Sequence, residues 1–209
     1  LFIKDPSRFE NSVLISFVKE LASKQPESKK EFDFFKTRLL KKYNLPRVPR
    51  SSDMNFIYRK LFINKIIPES TIQSYIKVKQ VRSRSGIMEV AFLTSPWDMI
   101  GKNNGCDYDC YFCPNQKGMP RSYIKEEPAV KRAAANKFDI VDQVYDRLTA
   151  YDLNGTYPDK IEGIILGGTW SSYSHTYQTS VIRDFYYAAN TYYDIHYENN
   201  LISIFLEGL

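Results

Sequence analysis

Apolar residues recur at helical spacing through the first third of the chain. Between residues 11 and 24 they fall on one side of a helix, and a second run with the same spacing begins at Ser28. We expect a third helix that is capped by Ser51 or Ser52 and continues through Phe62, because serine oxygens accept hydrogen bonds from free amides at a helix start. This part of the chain is therefore predicted to be helical.

Later in the chain, short apolar runs alternate with helical patterns. Met88 to Leu93 and Ile161 to Leu166 have strand length, and the second run ends in two glycines. Three helical patterns accompany them, at residues 127–135, about 138–154 and 176–193. Because strands that alternate with helices form parallel sheets, the predicted fold class is α/β.

The composition of the chain excludes several classes of protein. With 209 residues, of which 43% are hydrophobic and 25% charged, the chain can form one sizeable or two small cores. This composition excludes a disordered, collagen-like or low-complexity protein. No apolar run approaches the roughly 20 residues that a membrane span needs, and the start lacks a signal-peptide pattern. We therefore expect a soluble, cytoplasmic protein without membrane contact.

Positive charge is concentrated at one end. Residues 1–85 contain 19 Lys/Arg and 8 Asp/Glu, whereas residues 86–209 contain 10 and 16. This division suggests a polyanion-binding first part, although basic helices that only face solvent would give the same count. We predict a helical module at 1–71 and a second domain at 72–209. The candidate contacts are Lys41, Lys42, Arg47, Arg50, Arg59, Lys60, Lys77, Lys79, Arg82 and Arg84.

Three cysteines on one loop after the first strand carry the candidate chemistry. Cys106, Cys110 and Cys113 lie within eight residues, and the chain has no other cysteine. This spacing is typical of a metal or cluster site. Zinc would need a fourth ligand, such as His175 or His196, and a disulfide with one free thiol is a further alternative. A four-iron cluster on three thiolates would leave one iron open to an exogenous ligand.

The loop resembles that of the radical S-adenosylmethionine (SAM) superfamily, in which an aromatic residue precedes the third cysteine. Gly167, Gly168 and Thr169, after the second predicted strand, resemble the segment that holds the methionine end of SAM. The resemblance implies the first part of a (β/α) partial TIM-type barrel, with a [4Fe-4S] cluster on the three cysteines. It also implies that Phe112 contacts the adenine, while the alternative for Phe112 is a buried aromatic that anchors the loop.

A finer resemblance is to the family of the Elongator catalytic subunit and covers about Tyr43 to Asn190. The matching stretches are, in order, 42–45, 48–50, 58–61, 77–79, 81–83, 85–86, the cysteine loop, 122–123, 127–128, 131–133, 136 and 167–170. The resemblance implies modification of the wobble uridine (U34) of tRNA. In that family a radical derived from SAM activates the acetyl group of acetyl-CoA. The implied partners are tRNA and either other Elongator-type subunits or a second copy of the chain.

The chain also departs from this family. Its cysteine spacing is more compact, Asn115 and Gln116 follow Pro114, and the chain ends before the later barrel strands, so we interpret it as a front part or a reduced relative. Two alternatives remain. One is another radical SAM enzyme with a small-molecule substrate. The other is a non-enzymatic RNA-binding protein with a structural metal or cluster, which the missing fourth protein ligand disfavours.

Overall fold

The structure is a computed structural model that describes residues 9–76, 86–100, 106, 108, 110–156 and 160–198, with side chains to residue 192. Internal contacts divide the chain into two compact units. A helical unit comprises residues 3–86 and 150–158, and an α/β unit comprises residues 1–2, 87–149 and 159–209. The predicted α/β class agrees with this mixture of helices and a parallel sheet. The assignment of different functions to 1–71 and 72–209 stays a prediction.

Residues 9–76 of the helical unit contain four helices: α1 (Ser12–Ser23), α2 (Lys29–Lys42), α3 (Ser51–Ile63) and α4 (Ile72–Ile76). The first two begin as the sequence predicts, because the side chains of Asn11 and Ser28 accept amide hydrogen bonds at their first turns. The expected serine cap of α3 is wrong. Both serines lie inside the helix, and Arg50 occupies the cap position without a side-chain hydrogen bond.

The core of the helical unit includes a buried polar connection. The Tyr58 hydroxyl, on α3, accepts a hydrogen bond from the Ser70 amide at 2.8 Å. The Ser70 hydroxyl in turn donates to the carbonyl of Ala22 at 2.8 Å. Phe17 and Ile72 are fully buried beside the same helices. Because each of these buried polar groups has a partner, the connection joins α1, α3 and the residues before α4 and leaves none of these groups unsatisfied.

The α/β unit contains the two predicted strands, β1 (Met88–Leu93) and β2 (Ile161–Leu166), which pair in parallel with Met88 opposite Ile161. The connection between them contains α5 (Pro128–Ala135) and α6 (Ile140–Leu153), and α7 (His175–Glu198) follows β2. Phe138 was predicted to begin the helical pattern of residues 138–154, but it precedes α6. Lys137 and Phe138 have φ of 52° and 58°, a left-handed conformation that ends α5 and separates it from α6.

The two strands differ in burial. Four of the six residues of β1 are buried, whereas every residue of β2 is half-buried or exposed. Gln143, a buried residue of α6, supports the end of β1. Its side-chain amide donates to the carbonyl of Leu93 and accepts from the amide of Leu93, both at 2.9 Å. Gln143 thereby takes the place of a neighbouring strand at the point where β1 ends.

None of the described helices combines the length and the apolar character that crossing a bilayer requires.

Candidate functional site

The candidate site lies where the two parallel strands end. The amide of Thr94 donates to the carbonyl of Leu166 at 2.9 Å, so the pairing continues one residue beyond β1. Gly167 and Gly168 then follow β2. A Cβ on Gly167 would overlap the Thr94 hydroxyl oxygen and lie 3.0 Å from the Tyr173 hydroxyl. Gly167 is therefore required by the close packing of this turn against Thr94.

Gly168 has more space than its neighbour. A Cβ at Gly168 would lie 3.4 Å from the Cβ of Arg121 and 3.8 Å from the indole nitrogen of Trp97, which is close to ordinary packing distance. The amide of Gly168 donates to the Tyr173 hydroxyl at 3.4 Å. The two glycines thus have different roles, because internal packing excludes a side chain only at Gly167.

Tyr173 connects the two strand ends. Its hydroxyl shares a 2.7 Å hydrogen bond with the Thr94 hydroxyl, and its ring stacks on Trp97 with centroids 4.3 Å apart. Burial raises the pKa of Tyr173 above its ordinary value, because the charged form would be desolvated. The side chain therefore stays a neutral phenol that can donate to one strand end while it accepts from the other.

A cavity of about 260 Å³ opens at this edge of the sheet. Backbone atoms and side chains from both strand ends line it: Thr94, Tyr123, Ile165, Leu166, Gly167, Gly168 and Trp170. Burial raises the pKa of Tyr123, so its hydroxyl is also neutral. In parallel α/β proteins, ligands bind at the carboxyl ends of the strands, and this cavity has that position.

The first cysteine of the loop reaches the glycine turn. The thiol of Cys106 donates to the hydroxyl of Thr169 at 3.2 Å and lies 3.8 Å from the hydroxyl of Ser172. The Thr169 hydroxyl, followed by the Tyr108 backbone, lowers the pKa of Cys106, because the hydroxyl can also turn to donate a hydrogen bond to the thiolate. The structure therefore brings together two predicted site residues that are 63 positions apart.

The other two cysteines form a tight turn. The amide of Cys113 donates to the carbonyl of Cys110 at 3.0 Å, and all three cysteines are free thiols. Within the described residues, no group of three or more His, Cys, Asp or Glu side chains is placed to hold a metal ion. His175, one alternative zinc ligand, instead lies 3.5 Å from the Thr179 hydroxyl at the start of α7. The structure thus assembles no complete ligand set in the region it describes.

Phe112 is not a buried anchor of the loop, which was the alternative to its contact with adenine. Its side chain is 88% exposed, and that of the preceding Tyr111 is fully exposed. The interpretation of Phe112 as a buried anchor is therefore wrong. Its exposed ring beside the cysteines is available to contact a ligand.

The candidate cations of the first module have different surroundings. Lys41, Arg47 and Arg50 are exposed. Lys42 is exposed but paired with Glu20, while Arg59 contacts Asp152 at 3.0 Å. Burial lowers the pKa of Lys60. Four more candidates lie outside the described residues: Lys77, Lys79, Arg82 and Arg84.

Sequence reasoning did not identify Thr94, Gln143 or Tyr173 as parts of the site. Thr94 directly follows a predicted strand, so the rule that sites gather at strand ends could have identified it. Gln143 and Tyr173 carried no comparable signal. Their partners are 50 and 79 positions away in the sequence, and no local pattern records such contacts.

The sequence is similar to parts of several known proteins. No protein-family model matches the chain. The tRNA uridine(34) acetyltransferase of Dehalococcoides mccartyi is 39% identical over 112 residues, which are 54% of this chain and 23% of that protein. The protein of the same name from Methanocaldococcus jannaschii is 34% identical over 52% of this chain and 20% of the relative.

A eukaryotic relative matches a longer part of the chain. Elongator complex protein 3 of Schizosaccharomyces pombe is 28% identical over 179 residues, 82% of this chain and 32% of that protein. The chain therefore spans about a fifth to a third of the length of these relatives. The resemblance found in the motifs is confirmed, because the chain is similar to proteins named tRNA uridine(34) acetyltransferase and Elongator complex protein 3.

Proposed function

We propose that the chain is the tRNA-binding module and the first part of a radical SAM barrel of an enzyme that modifies the wobble uridine of tRNA. The contact between Cys106 and Thr169 carries this proposal, because it joins the cysteine loop to the turn after β2 beside a cavity at the strand ends. The names of the relatives support the reaction class. Acetyl-CoA as co-substrate, and association with Elongator-type subunits or a second copy, follow from the family alone.

The chemistry of the donor set fits a [4Fe-4S] cluster. Three free thiols on one loop can ligate three irons, and the loop provides no fourth thiol for the last iron. The pKa of Cys106 is already lowered by its hydrogen bonds, which favours the thiolate that a metal requires. We assign Cys106, Cys110 and Cys113 to the cluster. When bound, the cluster and SAM supply the one-electron chemistry that generates a carbon radical.

The residues around the cavity would hold and orient SAM. Gly167, Gly168 and Thr169 would bring backbone atoms and one hydroxyl to the methionine end of SAM, since a glycine turn allows close approach. The exposed Phe112 would contact the adenine. Tyr173, through its bonds to Thr94 and to the amide of Gly168, would keep the turn in position.

The helical unit would bind tRNA through its exposed cations. Lys41, Arg47 and Arg50 are accessible to phosphates, and each contact would release counterions, so binding should weaken as salt rises. Lys42 and Arg59 would contribute less, because each already has a carboxylate partner. Lys77, Lys79, Arg82 and Arg84 stay candidates from the sequence.

Anaerobic reconstitution with iron and sulfide tests the central assignment. We expect about four irons and four sulfides per chain, and loss of the cluster when any one of the three cysteines is replaced by Ala, because no other cysteine can substitute. Tyr108→Phe, in the same loop, is the matched control and should retain the cluster.

Two results would contradict the proposal. Single cysteine variants with the iron and sulfide content of the unmodified chain would show that the loop does not hold the cluster. Purification with zinc alone, and no cluster after reconstitution, would favour the alternative of a structural metal in an RNA-binding protein.

A further inference from the structure

The cations of α2 fall into two groups. Lys29 and Lys36 both pair with Asp33, and Lys42 pairs with Glu20. Lys30, Arg38 and Lys41 are exposed, and the described residues include no ion-pair partner for any of them. A cation without a carboxylate partner keeps its full attraction for an external anion.

The unpaired cations share one face of α2 with an exposed aromatic residue. Residues 30, 34, 38 and 41 are spaced by four, four and three positions, which places them on one stripe about 16 Å long. Phe34 is 55% exposed, and the guanidinium of Arg38 lies over its ring at 5.5 Å. Phe32 and Leu39 point to the core instead. We call Lys30, Phe34, Arg38 and Lys41 the α2 stripe.

We propose that the α2 stripe binds unpaired nucleotides of RNA, with a base stacked on Phe34 and the flanking phosphates held by Lys30, Arg38 and Lys41. This inference rests on the proposed tRNA binding and specifies which surface performs part of it. Charge complementarity favours this occupant, because Lys30 and Arg38 lie one turn to either side of Phe34 and Lys41 lies a turn further, and none of the three has an ion-pair partner among the described residues. Aromatic rings interleaved with cations are the arrangement by which proteins bind single-stranded nucleic acid.

The chemistry of the α2 stripe also selects against duplex RNA. In an A-form helix the base faces are covered by their neighbours, so Phe34 could stack only on a base in a loop or at an unpaired end. The cations alone would still attract a duplex through its phosphates. Stacking should therefore determine the preference for unpaired RNA, and charge should determine the salt dependence.

Substitutions at Phe34 in the full 209-residue chain test the stacking. The probes are a tRNA transcript, an oligouridylate and a blunt RNA duplex, measured at two salt concentrations. We expect Phe34→Leu to weaken oligouridylate binding about tenfold, with little change for the duplex, since a stacked base contributes that much to affinity. Phe34→Trp should retain binding, and its added indole fluorescence should be quenched by the oligouridylate but not by the duplex.

Charge variants on the same helix provide the matched comparison. Arg38→Gln and Lys41→Gln should weaken binding and lower the salt dependence by about 0.7 in the log-log slope for each lost contact. Lys29→Gln removes the same charge from a paired residue and should leave affinity nearly unchanged. Circular dichroism of each variant shows that the helix is intact.

The outcomes separate this inference from the proposed function. If the unmodified chain binds tRNA and Phe34→Leu binds each of the three probes as tightly as the unmodified chain does, the proposed stacking is wrong and the tRNA-binding proposal stands. If Arg38→Gln behaves like Lys29→Gln, the distinction between free and paired cations is wrong. If Phe34→Leu changes only self-association in sedimentation, the α2 stripe is a protein interface. If the unmodified chain binds neither tRNA nor oligouridylate, both proposals fail.

Discussion

The helical unit and the α/β unit use their polar groups differently. In the helical unit, Tyr58 and Ser70 are hydrogen-bonded to each other in the core, and Arg59 forms an ion pair with Asp152. In the α/β unit, the polar groups gather at the strand ends, where Tyr173 contacts the glycine turn beside the cavity. Polar contacts in the first unit therefore hold helices together, whereas those in the second maintain the shape of a site.

The sheet of the α/β unit is buried unevenly. Val90 and Phe92 of β1 are almost completely buried, as Phe17 and Ile57 of the helical unit are, but no residue of β2 is buried. A two-stranded sheet has little stability by itself, so the α/β unit depends on the helices and side chains that support its strands. Removing a buried partner of a strand end should consequently cost more than removing an ion pair of the helical unit.

The largest expected effect is at Gln143. Gln143→Leu would remove the side-chain partner of both the amide and the carbonyl of Leu93, which are buried. We expect the free energy of unfolding to fall by about 3 kcal/mol, because each buried backbone group left unpaired costs about 1–3 kcal/mol. Urea unfolding followed by circular dichroism measures the change.

Gln178→Leu is the control for this prediction. The Gln178 amide also donates to two backbone carbonyls, those of Trp170 and Tyr173, but it is only half-buried. Water can replace some of its bonds, so the loss should be about 1 kcal/mol. Equal losses in the two variants would show that burial of the strand end does not determine the cost.

The two glycines after β2 give the next largest contrast. Gly167→Ala should destabilise the chain by about 2 kcal/mol, because its Cβ would overlap the buried Thr94 hydroxyl and overpacking costs about 1–3 kcal/mol. Gly168→Ala, with its nearest neighbour at 3.4 Å, should change stability by less than about 0.5 kcal/mol. Thermal unfolding compares the two variants, and the reverse order would contradict the packing described for this turn.

This contrast also determines which glycine can test cofactor binding. A side chain at Gly167 would disturb the packing of the turn itself. Reduced SAM binding by such a variant would therefore not show that the turn contacts SAM. Gly168→Ala leaves the fold nearly unchanged and therefore reports on the approach of a ligand to the turn. Equilibrium dialysis with SAM, after cluster reconstitution, is the corresponding measurement.

The local pattern of the sequence predicted most helices and both strands. The helices that begin after Asn11 and Ser28 were predicted from apolar spacing, whereas the one cap that was predicted, at Ser51 or Ser52, was wrong. Helix α4 was not predicted, because five residues are too few to show a helical period. The pairing of β1 with β2 followed from the alternation of strands and helices.

The candidate site could be predicted only in part. Cys106 and Thr169 were identified from motifs, but their contact across 63 positions requires the folded chain. Arg59 was predicted as an RNA contact from its charge, and its carboxylate partner is 93 positions away. Sequence patterns count charges and do not record which of them are already neutralised by a long-range partner.

The Arg59 pair provides a smaller test in the helical unit. Asp152→Asn keeps the shape but removes the charge opposite Arg59, whose side chain is 22% exposed. We expect a loss of about 1–2 kcal/mol, between the values for surface and buried ion pairs. If Arg59 then becomes free for phosphate, tRNA affinity should rise slightly in a gel-shift titration. Unchanged stability would show that the pair does not hold the end of α6 to α3.

The smallest expected effect concerns the pH dependence of the helical unit. Lys42 and Tyr43 both hydrogen-bond to the Glu20 carboxylate, and the bond from Lys42 contributes most to lowering the pKa of Glu20 below its usual value. A carboxylate with a lowered pKa stabilises the fold above its ordinary pKa, and that contribution is lost as pH falls through the lowered value. Glu20→Gln should therefore have a smaller drop in Tm between pH 7 and pH 4 than the unmodified chain, whereas the exposed control Glu27→Gln should show the full drop. An identical drop in Glu20→Gln would mean that this surface cluster contributes nothing to stability, as for many exposed ion pairs.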